Sequence, residues 1–509
     1  MTSAGAVGST RVGVLGEMTR RLGEVRGRIA TMVAALLLIA TLLPGTNWTL
    51  APLDPAFASG GYALISVGRG AAEAVADEAR ALGADDVASL DSIDVVSARV
   101  TSSALDSLRR DARVAFIASD AIVTAASDEK HYERPQGKPS VGNEAIGARQ
   151  AWSTATGRGI VVALMDTGIA DHPDLAGSVV ARVDFVNDGA TSLDPGGHGT
   201  FLAGLIAAHG RTFSGVAPDA KLISLRVLDA QGRGTMHSVL AAFDWVLHNR
   251  AAYHVKVLNL SFGAPQTTTY HRTLLAGVVE SAWFAGVTVV TAAGNDGPKP
   301  GTVAMPGADP FVVTAGSFDD QGTTNPNDDR ESAFSSRGPT LDGFAKPDVL
   351  APGEHVMSLR VPGTSLDRSE NGGSGYARLS GTSASSAFTS GAAALVLQAH
   401  LTYTPTEVKG ALVAGGQRIV GTRTPGLDAA GALVARPARA NAGLIPSLVL
   451  VTMLKATGAL DGSGTTWEGI SWESVSWESV SWDVVSWEGI AWESVSWDTV
   501  SWDVCEAIR

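Results

Sequence analysis

Four residues of this chain have the types and settings that nucleophilic acyl chemistry requires: Asp166, His198, Asn295 and Ser383. Ser383 follows a Gly381-Thr382 turn and precedes an unbroken run of small and apolar residues, which predicts a helix to about His400. A serine in the first turn of a helix lies beside unpaired backbone N–H groups and the positive end of the dipole, and both stabilise an anionic acyl-transfer intermediate. Taken alone, Gly-Thr-Ser before an alanine-rich helix reads as an ordinary N-cap. Its weight comes from the other three.

Each of those sits where an element must begin or end. Ile160 to Met165 is a continuous apolar run of buried-strand type that ends at Asp166-Thr167-Gly168, which places a carboxylate at the strand's C-terminal edge. Gly196-Gly197-His198-Gly199-Thr200 leads into Phe201 to Ala208, so His198 opens a helix from a turn with room for a substrate backbone. Val287 to Ala292 predicts another buried strand, opening into Gly294-Asn295-Asp296, where the Asn295 amide can donate to an oxyanion. A nucleophile, a base, an orienting carboxylate and an oxyanion donor are all present.

The order Asp, His, Asn, Ser, each in its own motif, resembles the subtilisin-like serine peptidases, or subtilases, over roughly Gly142 to Gly426. Further family-like blocks in family order are Ser214 to Ala220, Val257 to Gly263, Ser335 to Pro339 and Lys346 to Gly353. The resemblance implies that Asp166 orients the imidazole, His198 is general base and then acid, Ser383 attacks, and Asn295 with the Ser383 N–H forms the oxyanion hole. It implies that the segments holding Gly232, Gly234, Ser261 and Gly263 pair with an extended peptide substrate as added strands. It implies no organic cofactor. The loop His209 to Phe213, where relatives often carry a calcium ligand loop, has no acidic or amide side chain. Asp171, Asp174, Asp319, Asp320, Asp328 and Asp329 are oxygen donors that could serve calcium elsewhere, and they read as solvated loop acids. After the nucleophile, Ala384-Ser385-Ser386-Ala387 replaces the family's usual Met-Ala-Ser-Pro, which relaxes the helix entry that proline would fix.

The fold expected is α/β. The candidate strands Ile160–Met165, Leu222–Val227, Val255–Leu260, Val287–Ala292 and Phe311–Ala315 alternate with helices over 238–249 and 273–285, the rhythm of a parallel sheet with helices on both faces. This catalytic region is placed at 140–426. Residues 59–127 predict a small α+β unit of βαββαβ order, ferredoxin-like, with its last strand running from Val114 to Thr124. Lying before a subtilase-like region, it resembles the family's inhibitory propeptide, cut off at the polar junction 128–140.

Residues 1–58 form a leader with five arginines before the uncharged stretch Ile29 to Leu43, which reads as a secretory signal; Thr19-Arg20-Arg21-Leu22 resembles a twin-arginine signal. This places the protein outside the cell or at its surface. Residues 427–464 read as a linker, with a closing helix before it at Thr404-Pro405-Thr406-Glu407. From 465 to 509, tryptophan recurs eight times at an interval of five, from Trp467 to Trp502, each followed by Glu or Asp. This tail holds nine acids and one arginine, about eight of the thirteen net negative charges, so the catalytic region is only mildly acidic. The charge argues against a nucleic-acid surface. The single cysteine, Cys505, excludes an intrachain disulfide. The partners expected are polypeptide substrates, the chain's own propeptide and, for the tail, a cell-envelope component. A function of a different class is a surface binding protein that works through the tryptophan repeat, with the peptidase-like region as scaffold.

Overall fold

The computed structural model describes residues 62–126, 140–367, 375–437 and 440–450. All of them fall in one compact unit, Ala56–Arg509. The leader, most of the junction 128–140, residues 451–464 and the tryptophan repeat lie outside the described residues.

The first region contains β1 (Tyr62–Val67), α1 (Ala72–Ala81), β2 (Asp85–Leu90), β3 (Val95–Arg99), α2 (Ser102–Leu108) and β4 (Val114–Ser119). Its four strands make an antiparallel sheet in the order β2-β3-β1-β4. Helical spacing puts Ala72, Val75, Ala76 and Ala79 on the buried face of α1, with Glu73, Asp77 and Arg80 outside. The βαββαβ order is as expected, but the last strand differs. It stops at Ser119, and the chain turns and resumes as β5 (Ile122–Ala125) in another sheet. The turn is held by a helix start elsewhere: Met236 N donates to Ala121 O (2.8 Å) and His237 N to Asp120 Oδ1 (2.9 Å), pairing N–H groups that a helix leaves open. The His237 ring also stacks on Tyr62, with centroids 4.3 Å apart, and its Nδ1 lies 2.7 Å from Ser97 Oγ.

The catalytic region opens with the short α3 (Ala148–Ala151), then β6 (Val161–Asp166), β7 (Val179–Asp184), α4 (His198–Ala207) and β8 (Lys221–Arg226). Next come β9 (Arg233–Thr235), α5 (Met236–Tyr253), β10 (Val255–Leu260), β11 (Phe262–Gly263), α6 (Leu274–Phe284) and β12 (Thr288–Ala292). They are followed by β13 (Val313–Asp319), β14 (Arg330–Glu331), β15 (Val349–Pro352), β16 (Val356–Leu359) and β17 (Tyr376–Leu379), and finally α7 (Thr382–Ala399), α8 (Pro405–Ala414) and α9 (Ala429–Val434). The large sheet runs β14-β13-β12-β10-β6-β8-β7, with β15 also on β13, and every pairing is parallel except β13 with β14. Every position of β6 and β12 is buried, as helices on both faces require. Phe311 and Val312 are not in β13, because Asp309 Oδ1 accepts from Phe311 N (2.9 Å) and holds a turn there.

The stretch expected as a linker from 427 is packed as far as Leu450. Leu427, Ala429, Ala432, Leu433, Val449 and Leu450 are buried. Glu280 on α6 explains part of this. It is fully buried and needs donors, which Ser447 supplies from its N (2.8 Å) and Oγ (2.6 Å). Burial and the neighbouring Asp309 push the Glu280 carboxyl well above its usual range. Thr404 and Glu407 form the reciprocal capping box at the start of α8. No helix among the described residues is long and apolar enough to cross a membrane.

Candidate active site

Parallel pairing brings the C-terminal ends of β6, β10 and β12 to one edge of the sheet, and the candidate residues are there. Asp166 ends β6 with its side chain buried, and its Oδ1 accepts from Thr167 N (2.8 Å). The same oxygen lies 2.7 Å from His198 Nδ1. His198 is the first residue of α4, entered through Gly197 in the left-handed region at φ 82°. The two turns interlock without side chains: a Cβ on Gly199 would collide with Gly168 O, and one on Gly168 with Leu193 O. Burial opposes charging of the His198 ring, but the charge and hydrogen bond of Asp166, with the charge of Asp194, hold the imidazole above its usual range. Its Nε2 is buried without a hydrogen-bond partner among the described residues.

Ser383 is the second residue of α7, which packs against α4. Its hydroxyl donates to Ser261 O (3.2 Å), not to His198. Beside it the amide of Asn295 has a fixed orientation. Asn295 Oδ1 accepts from Thr382 N (3.0 Å) and Thr382 Oγ1 (2.9 Å), and since a backbone N–H can only donate, Nδ2 must face the other way. There it donates to Ala126 O (2.6 Å), which also accepts from Ser383 N (3.4 Å). Two donors, one from the strand-end loop and one from the helix start, converge on a single carbonyl oxygen.

That carbonyl belongs to the residue directly after β5, and β5 itself lies between two segments of the catalytic region. It is the middle strand of a three-stranded antiparallel sheet, β11-β5-β9. Val123 faces Gly234, Thr124 faces both Arg233 and Gly263, and Ala125 faces Phe262. Ala125 N donates to Gly232 O (2.7 Å) and Ala126 N to Ser261 O (2.8 Å). All four residues expected beside an extended peptide, Gly232, Gly234, Ser261 and Gly263, therefore flank this strand. A Cβ on Gly232 would stand 3.1 Å from Ala125 Cβ, so glycine there lets the strand approach. Val123 and Ala126 are buried while Ile122 and Thr124 are exposed, which shows which side chains the cleft encloses.

The model of the Subtilase family matches residues 157–422. The chain belongs to the subtilase family. It is 41% identical over 268 residues to the serine protease AprX of Bacillus subtilis, a match that takes in 50% of this chain and 61% of that protein's length. It is 32% identical over 323 residues to the alkaline protease of Alkalihalobacillus alcalophilus, covering 63% of this chain and 73% of that one. The crystal structure of fervidolysin from Fervidobacterium pennivorans, a keratinolytic enzyme related to subtilisin, shares the fold, with a TM-score of 0.59 at 24% identity over 74% of this chain and 61% of that one.

As a subtilase the chain departs from pattern after Ser383, and the structure accommodates the change. α7 continues unbroken through Ala387. Ser385 Oγ donates to Ala351 O (3.1 Å), and Ser386 Oγ lies 2.8 Å from Ser261 Oγ, which accepts from Asn259 Nδ2 (2.7 Å). Among the described residues no group of three or more His, Cys, Asp or Glu is arranged to hold a metal ion. Asp171 pairs with Arg182, Asp174 accepts from Tyr376 Oη, and Asp320 accepts from Ser140 Oγ and the N–H groups of Val141 and Gly142. Two participants escape sequence reasoning. Ala126 is an ordinary alanine until β5 is paired, and Asp194, in Asp194-Pro195-Gly196, reads as a turn residue; an acid just before a helix-opening histidine is the signal that could have found it.

Proposed function

We propose that this subtilase is an exported serine endopeptidase, made as a self-processing zymogen, and that the Ala126–Ser127 bond is its first substrate. The observation that carries this reading is the Ala126 carbonyl, held by Asn295 Nδ2 and Ser383 N at the end of a strand bound like an extended peptide. In the reaction, the Ser383 hydroxyl turns from Ser261 O to His198 Nε2 and attacks the carbonyl carbon as His198 takes its proton. Asp166 holds Nδ1 and stabilises the imidazolium. The carbonyl oxygen becomes an anion facing Asn295 and the Ser383 N–H. His198 returns the proton to the departing amine, and the acyl-enzyme is opened by water with the same groups in reverse. Backbone pairing to Gly232, Gly234, Ser261 and Gly263 holds polypeptides of varied sequence.

The test is the Ser383→Ala chain expressed in a protease-free host. The wild type should give two fragments whose masses place the cut after Ala126 and should label with a fluorophosphonate, whereas the variant should remain one unlabelled chain. Normal processing of the variant would refute self-cleavage. The eight tryptophans of the tail favour a second role in the same protein, retention on the cell envelope, because each large ring left in water exposes on the order of 150–250 Å².

A further inference from the structure

The loop entering the His198 helix carries a carboxylate that the reaction scheme does not use. Asp194 is wholly buried, and each of its oxygens accepts two hydrogen bonds. Oδ1 accepts from Thr167 Oγ1 and Gly197 N, both at 2.7 Å, and Oδ2 from Thr200 N (2.8 Å) and Thr200 Oγ1 (2.6 Å). The first N–H groups of a helix have no partner within it, and Gly197 at the N-cap has no side chain to supply one. Asp194 does so from three residues upstream. The N–H of Gly199 donates to Thr167 Oγ1 (2.9 Å), the same hydroxyl that donates to Asp194. Thr167 comes directly after Asp166. One carboxylate therefore ties together the turn that aims His198 and the strand end that aims Asp166.

Charge adds to geometry. The carboxylates that face the His198 ring are Asp166, from β6, and Asp194, from the loop before α4, and both favour its protonated form. In a buried site a second negative charge is weakly screened. It is most useful when the ring becomes an imidazolium, at the moment Ser383 gives up its proton. Asp194 reaches neither the substrate-like strand nor Ser383 through any of its four hydrogen bonds.

We propose that Asp194 is a positioning residue: through the first turn of α4 and through Thr167 it fixes the His198–Asp166 pair, and its charge stabilises the imidazolium. This rests on the reading of His198 as general base. It predicts that Asp194→Asn, which keeps the size and removes the charge, lowers kcat about 10- to 100-fold, the usual cost of removing a group that supports a reacting residue from one layer out. KM should change little, and the acid limb of kcat/KM should move to lower pH.

The experiment reads the imidazole directly. In the Ser383→Ala chain, which needs no activity, the His198 ring is titrated by NMR with labelled histidine, with and without Asp194→Asn. The expected result is a midpoint shifted to lower pH by Asp194→Asn and unmoved by Asp219→Asn, an acid that pairs with Arg158 elsewhere. An unchanged midpoint together with an unchanged acid limb would overturn the proposal, leaving Asp194 a cap for folding only. Should Asp194→Asn not fold, Thr200→Val keeps the carboxylate and removes one of its donors; kcat should fall and the His198 midpoint move to lower pH, because a buried carboxylate with fewer donors is less readily charged, and no change in either would also overturn the proposal. A wild-type chain that neither hydrolyses peptide nor labels with fluorophosphonate would instead refute the endopeptidase reading, which the NMR titration does not depend on.

Discussion

Replacing Asn295 tests the site most sharply, because the structure gives this side chain two separable duties. Its Nδ2 donates to Ala126 O at 2.6 Å, and its Oδ1 accepts from the N and Oγ1 of Thr382, the residue before Ser383. A hydrogen bond to a neutral carbonyl is worth about 1 kcal/mol net, whereas one donor to a developing oxyanion in a closed site is worth about 2.7–4 kcal/mol. The larger figure is already a loss in kcat, over and above what the donor gives the ground state, so at about 1.4 kcal/mol per decade the loss of the donor should lower kcat about 10²- to 10³-fold with little effect on KM. The Ser383 N–H cannot replace it, since at 3.4 Å it is already the weaker partner of that carbonyl.

Asn295→Ala removes both duties at once, so a slow variant alone could reflect a displaced Thr382. Asn295→Asp separates them: it keeps the acceptor for Thr382 and puts a negative charge where the donor stood. It should be at least as slow as Asn295→Ala. Self-cleavage of the refolded chain is a convenient assay, being unimolecular and free of any KM, and hydrolysis of a short peptide by matured enzyme supplies kcat and KM separately. A loss of less than tenfold in Asn295→Ala, a change confined to KM, or near-normal activity of Asn295→Asp would each refute the oxyanion assignment.

Acidification should remove activity as His198 charges, and because its folded value is raised, the acid limb should lie above the ordinary histidine midpoint of about 6.5. Stability should move the other way: the imidazolium beside Asp166 stabilises the fold fully below the unfolded value, and that contribution is lost as pH rises through the raised folded value, which thermal melts across this window would show. Val123→Asp places a carboxylate in the enclosed part of the cleft and should slow self-cleavage and weaken inhibition by added 59–126 segment, while Thr124→Asp, on the exposed side, should do neither. Truncation before Thr465 should leave hydrolysis of a short peptide intact and abolish retention on the cell envelope; lost hydrolysis would mean that the tail belongs to the catalytic fold.

Asp166, His198, Asn295 and Ser383 were legible in the sequence because each sits at a strand end or helix start that its own few neighbours announce. The parallel sheet was legible for the same reason, since buried strands read as short apolar runs wherever they pair. What local pattern could not give was β5. Val114 to Thr124 looks like one strand, interrupted only by Asp120, and the break arises from the open N–H groups of α5 far along the chain. The packing of the described residues between 427 and 450 was hidden likewise, because Ser447 and Glu280 explain each other only once they meet. A glutamate within the apolar helix Leu274–Phe284 was the one local hint that a donor had to come from elsewhere.

The first region is held to the catalytic region in two independent ways, and their difference would decide the fate of the first region if the chain is cut after Ala126 as proposed. One is the strand β5, whose hydrogen bonds run along the cleft up to Ala126. The other is the face around α5, where His237 stacks on Tyr62, Met236 N and His237 N hold the turn at Asp120-Ala121, and Asp244 accepts from Ser92 N at 2.6 Å. Neither set involves the bond after Ala126, so cutting that bond removes no contact that holds the unit in place. It also leaves a carboxylate on Ala126 between the two donors that had held the carbonyl, and a hydrogen bond to a charged acceptor is stronger than one to a neutral acceptor. Cleavage alone would therefore not displace β5. If the chain is a zymogen as proposed, release would require that the α5 face be lost or the first region be destroyed, which would separate the chemistry of maturation from the appearance of activity toward other polypeptides.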